Sequence, residues 1–148
     1  MEHFDSQRQQ QIWQRVRSGR EEAPKNDLRQ MQREALELAA IYRSLASRMT
    51  GRQQQLLSML YRGERENAAA LAGIGVLSRL GGETLNFWQP DKEEPKRLLE
   101  RCYHRTRRCM TEYLARSAEG EWGVVYEKMA GREGEHCFLI ARLLGWMQ

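Results

Sequence analysis

The sequence predicts an all-α protein: a four-helix bundle built from two antiparallel hairpins with a crossover between them, preceded by a short N-terminal helix. Three observations lead there. Apolar side chains recur at alternating steps of three and four residues through four separate segments, the pattern of a helix that buries one stripe. The chain has 148 residues, which suits one domain, and only 3 Pro and 12 Gly, too few for a many-turned sheet protein. The links within each pair of segments are short, which folds each pair back on itself.

Residues 1–26 read as an N-terminal helix and connector, and 27–148 as the bundle. In Ser6–Ser18, Ile12, Trp13 and Val16 lie to one side; Asp5 and Ser6 can cap the start and Gly19 the end. The connector Glu21–Asp27 contains Pro24. The first long segment carries Leu28, Met31, Ala35, Leu38, Tyr42, Leu45 and Met49 on its stripe. Thr50 and Gln53 have the spacing of a capping box for the second, whose stripe is Leu57, Leu60, Glu64, Asn67, Leu71 and Ile74. Arg79–Asp91, with Gly81, Gly82, Asn86 and Pro90, is a break. At ~3.3 Å per residue even ~10 residues of it reach the length of a ~30 Å helix, so a crossover is favoured over a slack loop. Asp91 and Glu94 then cap a third segment with Leu99, Cys102, Thr106, Cys109 and Tyr113. The fourth begins near Glu121 and carries Trp122, Tyr126, Met129, Glu133, His136, Ile140, Leu143 and Met147.

Composition narrows the function classes without choosing one. The 24 basic and 20 acidic residues leave a net charge of +4, a slight excess that does not signal nucleic acid. The basic residues Lys96, Arg97, Arg101, Arg105, Arg107 and Arg108 fall off the apolar stripe, as a solvated face does, and lack the aromatic interleaving of a nucleic-acid binder. His104 is expected at the surface. No apolar stretch approaches the ~20 residues of a membrane span, and no secretory leader is visible. Cys102, Cys109 and Cys137 are an odd set, expected as reduced thiols in the cytoplasm. Cys137 adjoins His136, but helix neighbours do not face each other, so no nucleophilic dyad is expected.

The informative residues are the ones that break the stripe. Glu64 and Asn67 on the second segment, and Glu133 and His136 on the fourth, occupy core positions. A carboxylate there is costly unless it is paired, protonated or bound to a metal. Glu133 and His136 stand three residues apart, presenting an oxygen and a nitrogen on one helix face. The hairpins also repeat one another: Tyr42, Leu60, Glu64, Glu66, Asn67 and Leu71 correspond to Tyr113, Met129, Glu133, Glu135, His136 and Ile140. An internal duplication is the economical reading.

These residues resemble the ferritin-like superfamily, especially its rubrerythrin-like branch, over roughly Leu28 to Gly145. The resemblance implies a four-helix bundle whose di-iron site takes a Glu from helices one and three and a Glu-x-x-His from helices two and four. The fourth-helix motif is present as Glu133 and His136; the second keeps Glu64 but has Asn67 in place of His. Ala35 and Thr106 stand where the family carries its other two acids, and Arg105, Arg107 and Arg108 surround Thr106. Glu34 adjoins Ala35 and, with Asn67, is a further candidate ligand.

With half the ligand set gone, di-iron redox catalysis is not expected, although an enzyme recruiting Glu34 and outer carboxylates is a third option. The expectation is at most one divalent ion (iron, manganese or zinc) on Glu64, Glu133 and His136, with Cys102 and Cys109 near enough along the stripe to add thiolate. The absence of any cofactor is equally compatible with these residues. In that alternative Glu64, Glu133 and His136 form a buried hydrogen-bonded cluster with Tyr42, Tyr113 and Asn67. His136 would then be protonated by the carboxylates, and the bundle would act through a protein partner or as a homodimer.

Overall fold

The computed structural model describes residues 24–77, 93–118 and 120–147, and these are helical with no strand among them. Four long helices follow in order: α1 (Pro24–Ser47), α2 (Gly51–Leu77), α3 (Pro95–Ser117) and α4 (Gly123–Trp146), with a short 3-10 turn at Gly120–Trp122 before the last. The N-terminal helix expected at Ser6–Ser18 and the break at Arg79–Asp91 lie outside the described residues. α1 begins inside the segment read as a connector. The reason is local: Pro24 lacks an N–H and has a fixed φ, so it starts a helix readily.

The caps differ from those expected. The α1–α2 turn is held by Gly51 at φ 61 and by Gln54, whose Nε2 donates to the carbonyl of Ala46 at 3.2 Å, rather than by a Thr50–Gln53 capping box. A left-handed φ of this kind carries no Cβ penalty only in glycine. Glu94 occupies the N-cap position of α3, yet its side chain makes no capping bond, and Pro95 in the first turn is the operative start signal.

Side-chain contacts fix the helix directions. Gln32 Nε2 donates to Leu71 O at 3.2 Å, and Gln54 reaches Ala46, so α1 and α2 are antiparallel. Tyr113 stacks near Tyr126, with ring centroids 6.4 Å apart, and Gly134 lies against Met110, so α3 and α4 are antiparallel as well. Across the hairpins, Glu64 meets His136 and Asn67 meets Glu133, which makes α2 and α4 antiparallel. It follows that α2 and α3 run parallel, and the end of α2 and the start of α3 lie at opposite ends of the bundle.

The stripes converge on one core. Leu38, Leu45, Leu57, Leu60, Leu71, Leu98, Leu99, Met129, Ile140 and Leu143 are fully enclosed. Burial of each such side chain contributes ~1.5–3 kcal/mol, and this term holds the helices together. No helix among the described residues is long and apolar enough to cross a membrane.

One contact across the hairpins was not apparent from the pattern. Arg105, expected on the solvated face of α3, is half-buried and grips two acids of α1. Its Nε reaches Glu34 Oε1 at 2.6 Å, and its Nη2 reaches Glu34 Oε2 at 2.9 Å and Glu37 Oε2 at 2.7 Å. A two-pronged guanidinium–carboxylate pair is among the stronger and more directional hydrogen-bonded contacts. Arg105→Ala is expected to lower stability by about 1–3 kcal/mol, between the values for exposed and buried pairs. Arg105→Lys should recover only part of that loss, because an ammonium cannot reproduce the fork. Urea denaturation measures both, and an unchanged midpoint in Arg105→Ala would show that the pair contributes nothing.

Candidate metal centre

The polar layer sits midway along α2 and α4. Glu64 and Asn67 stand three residues apart on α2, as Glu133 and His136 do on α4, and all four are buried. Because the two helices cross antiparallel, each carboxylate faces the other helix's partner residue. Glu64 Oε1 lies 3.0 Å from His136 Nδ1, and Asn67 Nδ2 donates to Glu133 Oε1 at 2.6 Å. The duplication seen in the sequence thus becomes a near-twofold arrangement in space, broken where one hairpin has His and the other Asn.

Outside this layer, supporting contacts hold each group in place. Arg132 Nη1 donates to Asn67 Oδ1 at 2.6 Å and its Nε pairs with Glu66 at 3.1 Å. The amide of Asn67 is therefore oriented with its oxygen toward Arg132 and its nitrogen toward Glu133. So placed, Asn67 positions a carboxylate and does not offer its own oxygen to the layer. His136 packs directly over Gly63, where an added methyl would overlap the imidazole at Nε2. Gly63 is thus required for close approach and leaves Nδ1 as the ring nitrogen that faces both acids.

Glu64, Glu133 and His136 each offer a ligand atom, and these atoms all lie within 4.8 Å of one another. Two carboxylate oxygens and an imidazole nitrogen suit a divalent ion such as iron, manganese or zinc. The further candidate Glu34 is committed to Arg105 in the structure and is not part of this group. Cys102 and Cys109 are buried free thiols outside it as well, and burial raises both pKa values, that of Cys102 to about 12. Cys137 is half-buried, and His104 is exposed as expected.

The electrostatics of the metal-free layer follow from its dryness. Burial raises the Glu64 pKa to about 7. Burial likewise raises that of Glu133, and the charge of Glu64 adds to the effect. The ligand oxygens of the two carboxyl groups lie within 4.8 Å of each other, so a proton on either one relieves the repulsion between them. With both ionised, Oε2 of Glu64 and Oε2 of Glu133 have no donor from the protein. His136 moves the other way from expectation. Burial lowers its pKa despite the neighbouring Glu133, so the ring is neutral near pH 7 and keeps a lone pair.

All three members of the group are among the residues that break the stripes in the sequence, and Asn67 joins them as a donor to Glu133. The stripes do not show Arg132, whose bond to Asn67 links positions on different helices. They also miss Gln32, which lies beside the stripe yet is buried with its amide on Leu71 O. No protein-family model, curated protein or solved structure matches the chain.

Raised carboxyl pKa values stabilise the metal-free fold at low pH, and that contribution is lost as pH rises through the folded-state value. For Glu64 the loss runs from its ordinary 4.5 through about 7. His136, with its pKa lowered from 6.5, contributes stability that is present above 6.5 and lost only as pH falls through its folded-state value. Above pH 6.5 the His136 contribution is fully present, so the carboxyl groups set the slope until the thiols, raised by burial from 9.0, add to the loss near that value. The melting temperature of chelator-treated protein should fall between pH 6.5 and 8.5. Glu64→Gln, which keeps the shape and removes the charge, should flatten the slope; a slope unchanged by the substitution would contradict the assignment.

Proposed function

We propose that this chain is a rubrerythrin-like member of the ferritin-like superfamily that binds a single divalent metal ion through Glu64, Glu133 and His136. The supporting observation is the set of three buried ligand atoms within 4.8 Å, together with carboxylate oxygens that lack protein donors once ionised. A divalent cation neutralises two carboxylates beside a neutral imidazole, so the loaded layer carries no net buried charge. The group also occupies α2 and α4, where Glu133 and His136 form the full Glu-x-x-His motif and Glu64 is what remains of the other. On the α1–α3 side, Ala35 and Thr106 supply no carboxylate, and Glu34 is engaged by Arg105. Too few acids remain to balance and bridge two irons, so a mononuclear site without di-iron redox catalysis is the reading favoured here.

A second reading is a metal-free bundle that acts through its surface, in a cytoplasmic partner complex or a homodimer. Its support is that the Glu64–His136 and Asn67–Glu133 bonds already partner part of the layer. Val124 and Phe138 also leave large apolar side chains exposed on α4.

Elemental analysis separates the two. Protein purified without chelators, or dialysed against iron, zinc or manganese, should retain about one equivalent of metal. Glu133→Ala and His136→Ala should each lower affinity at least tenfold, and folding should be verified by circular dichroism. Less than a tenth of an equivalent of every metal, unchanged by Glu133→Ala, would decide for the metal-free bundle.

A further inference from the structure

Two buried tyrosines sit at matching positions of the two hairpins, and only one of them has a hydroxyl partner. The duplicated hairpins place Tyr42 on α1 and Tyr113 on α3 in equivalent positions, with Ala35 and Thr106 each seven residues earlier on the same helices. Both tyrosines are enclosed, and both experience the negative charge of Glu64 and Glu133. Tyr42 Oη crosses from α1 to α3 and shares a hydrogen bond with Thr106 Oγ1 at 3.2 Å. The symmetry-related counterpart of Thr106 is Ala35, which has a methyl group and no hydroxyl. Tyr113 Oη is left buried with no hydrogen-bond partner.

A buried phenol without a partner costs on the order of 1–3 kcal/mol, so native structures rarely keep one unless something else uses it. The phenol is a donor, and after burial and Cys109 the negative charges that act on it are Glu64 and Glu133 of the candidate metal centre and Glu112. Three protein atoms do not fill the coordination of a divalent ion, and a site with an open position takes a small external ligand. We propose that Tyr113 Oη serves this open position: it donates a hydrogen bond to a small anion or water molecule bound beside Glu64, Glu133 and His136. The proposal rests on the metal reading above and adds to it a named anion-binding residue and an asymmetry, since Tyr42 is already satisfied by Thr106.

Cobalt-loaded protein titrated with azide tests this through its visible spectrum, with cobalt content measured in the same samples. Wild-type protein should bind one azide. Tyr113→Phe should keep its cobalt and bind azide at least tenfold more weakly. Ala35→Thr, which gives Tyr113 a hydroxyl within the protein, should also weaken azide, whereas Tyr42→Phe should leave azide affinity unchanged. Equal azide affinity in wild type and Tyr113→Phe, or cobalt binding without azide binding, overturns this proposal alone. Failure to bind cobalt removes the metal reading and this one with it. A second measurement needs no metal: chelator-treated Tyr113→Phe should be as stable as wild type, while Tyr42→Phe should be less stable through loss of the Thr106 bond. Equal destabilisation by the two substitutions would show that Tyr113 already has a protein partner and would also overturn the proposal.

Discussion

Two carboxylates, one from α2 and one from α4, face each other in a dry core, and most of the unusual features of this bundle follow from that placement. Two ionised carboxylates cannot stay at this distance in a low-dielectric interior without compensation. Either protons or a cation must neutralise them. The raised pKa of Glu64 and Glu133 expresses the first solution, and the convergence of their oxygens with His136 Nδ1 expresses the second. Both draw on the same geometry, so proton release and metal uptake are coupled in a site of this kind.

The rest of the layer holds these charges in place. Asn67 cannot rotate its amide without breaking its bond to Arg132, which keeps Glu133 Oε1 bonded and leaves Oε2 available. Gly63 lets the Nε2 edge of the imidazole approach α2 closely, so that His136 presents Nδ1 to the acids. On the other side of the bundle Ala35 and Thr106 put no acid on the inner stripes of α1 and α3. A guanidinium joins them instead, through Glu34 and Glu37. The molecule thus has one pair of helices crossed by a candidate metal centre and the other pair crossed by an ion-pair clamp. A near-twofold fold has two chemically different halves.

The apolar stripes of all four helices were legible because burial follows helical period. Leu28 through Leu45, Leu57 through Ile74, Leu99 through Tyr113 and Tyr126 through Leu143 are all enclosed at the positions the spacing indicates. Glu64, Asn67, Glu133 and His136 stood out against the same period for the same reason: a polar side chain at a core position is costly enough to be informative. Helix ends were less legible. Thr50, Gln53 and Glu94 have the residue types of caps, yet Gly51, Gln54 and Pro95 shape the ends. Several residues compete for the same terminal N–H and C=O groups, and small energy differences decide among them.

By itself, the sequence determined the four long helices of the described residues, the face each one buries and the polar residues Glu64, Asn67, Glu133 and His136 on those faces, since these depend on spacing along one chain. Only the tertiary structure decided who faces whom. That Arg105 leaves the solvated face to grip α1, that Arg132 orients Asn67, and that Tyr42 finds Thr106 while Tyr113 meets no hydroxyl are all relations between helices. Periodicity places a side chain on a face but carries no information about the level at which another helix crosses it. Hydrogen bonds and ion pairs depend on that level to within an ångström, whereas hydrophobic burial does not.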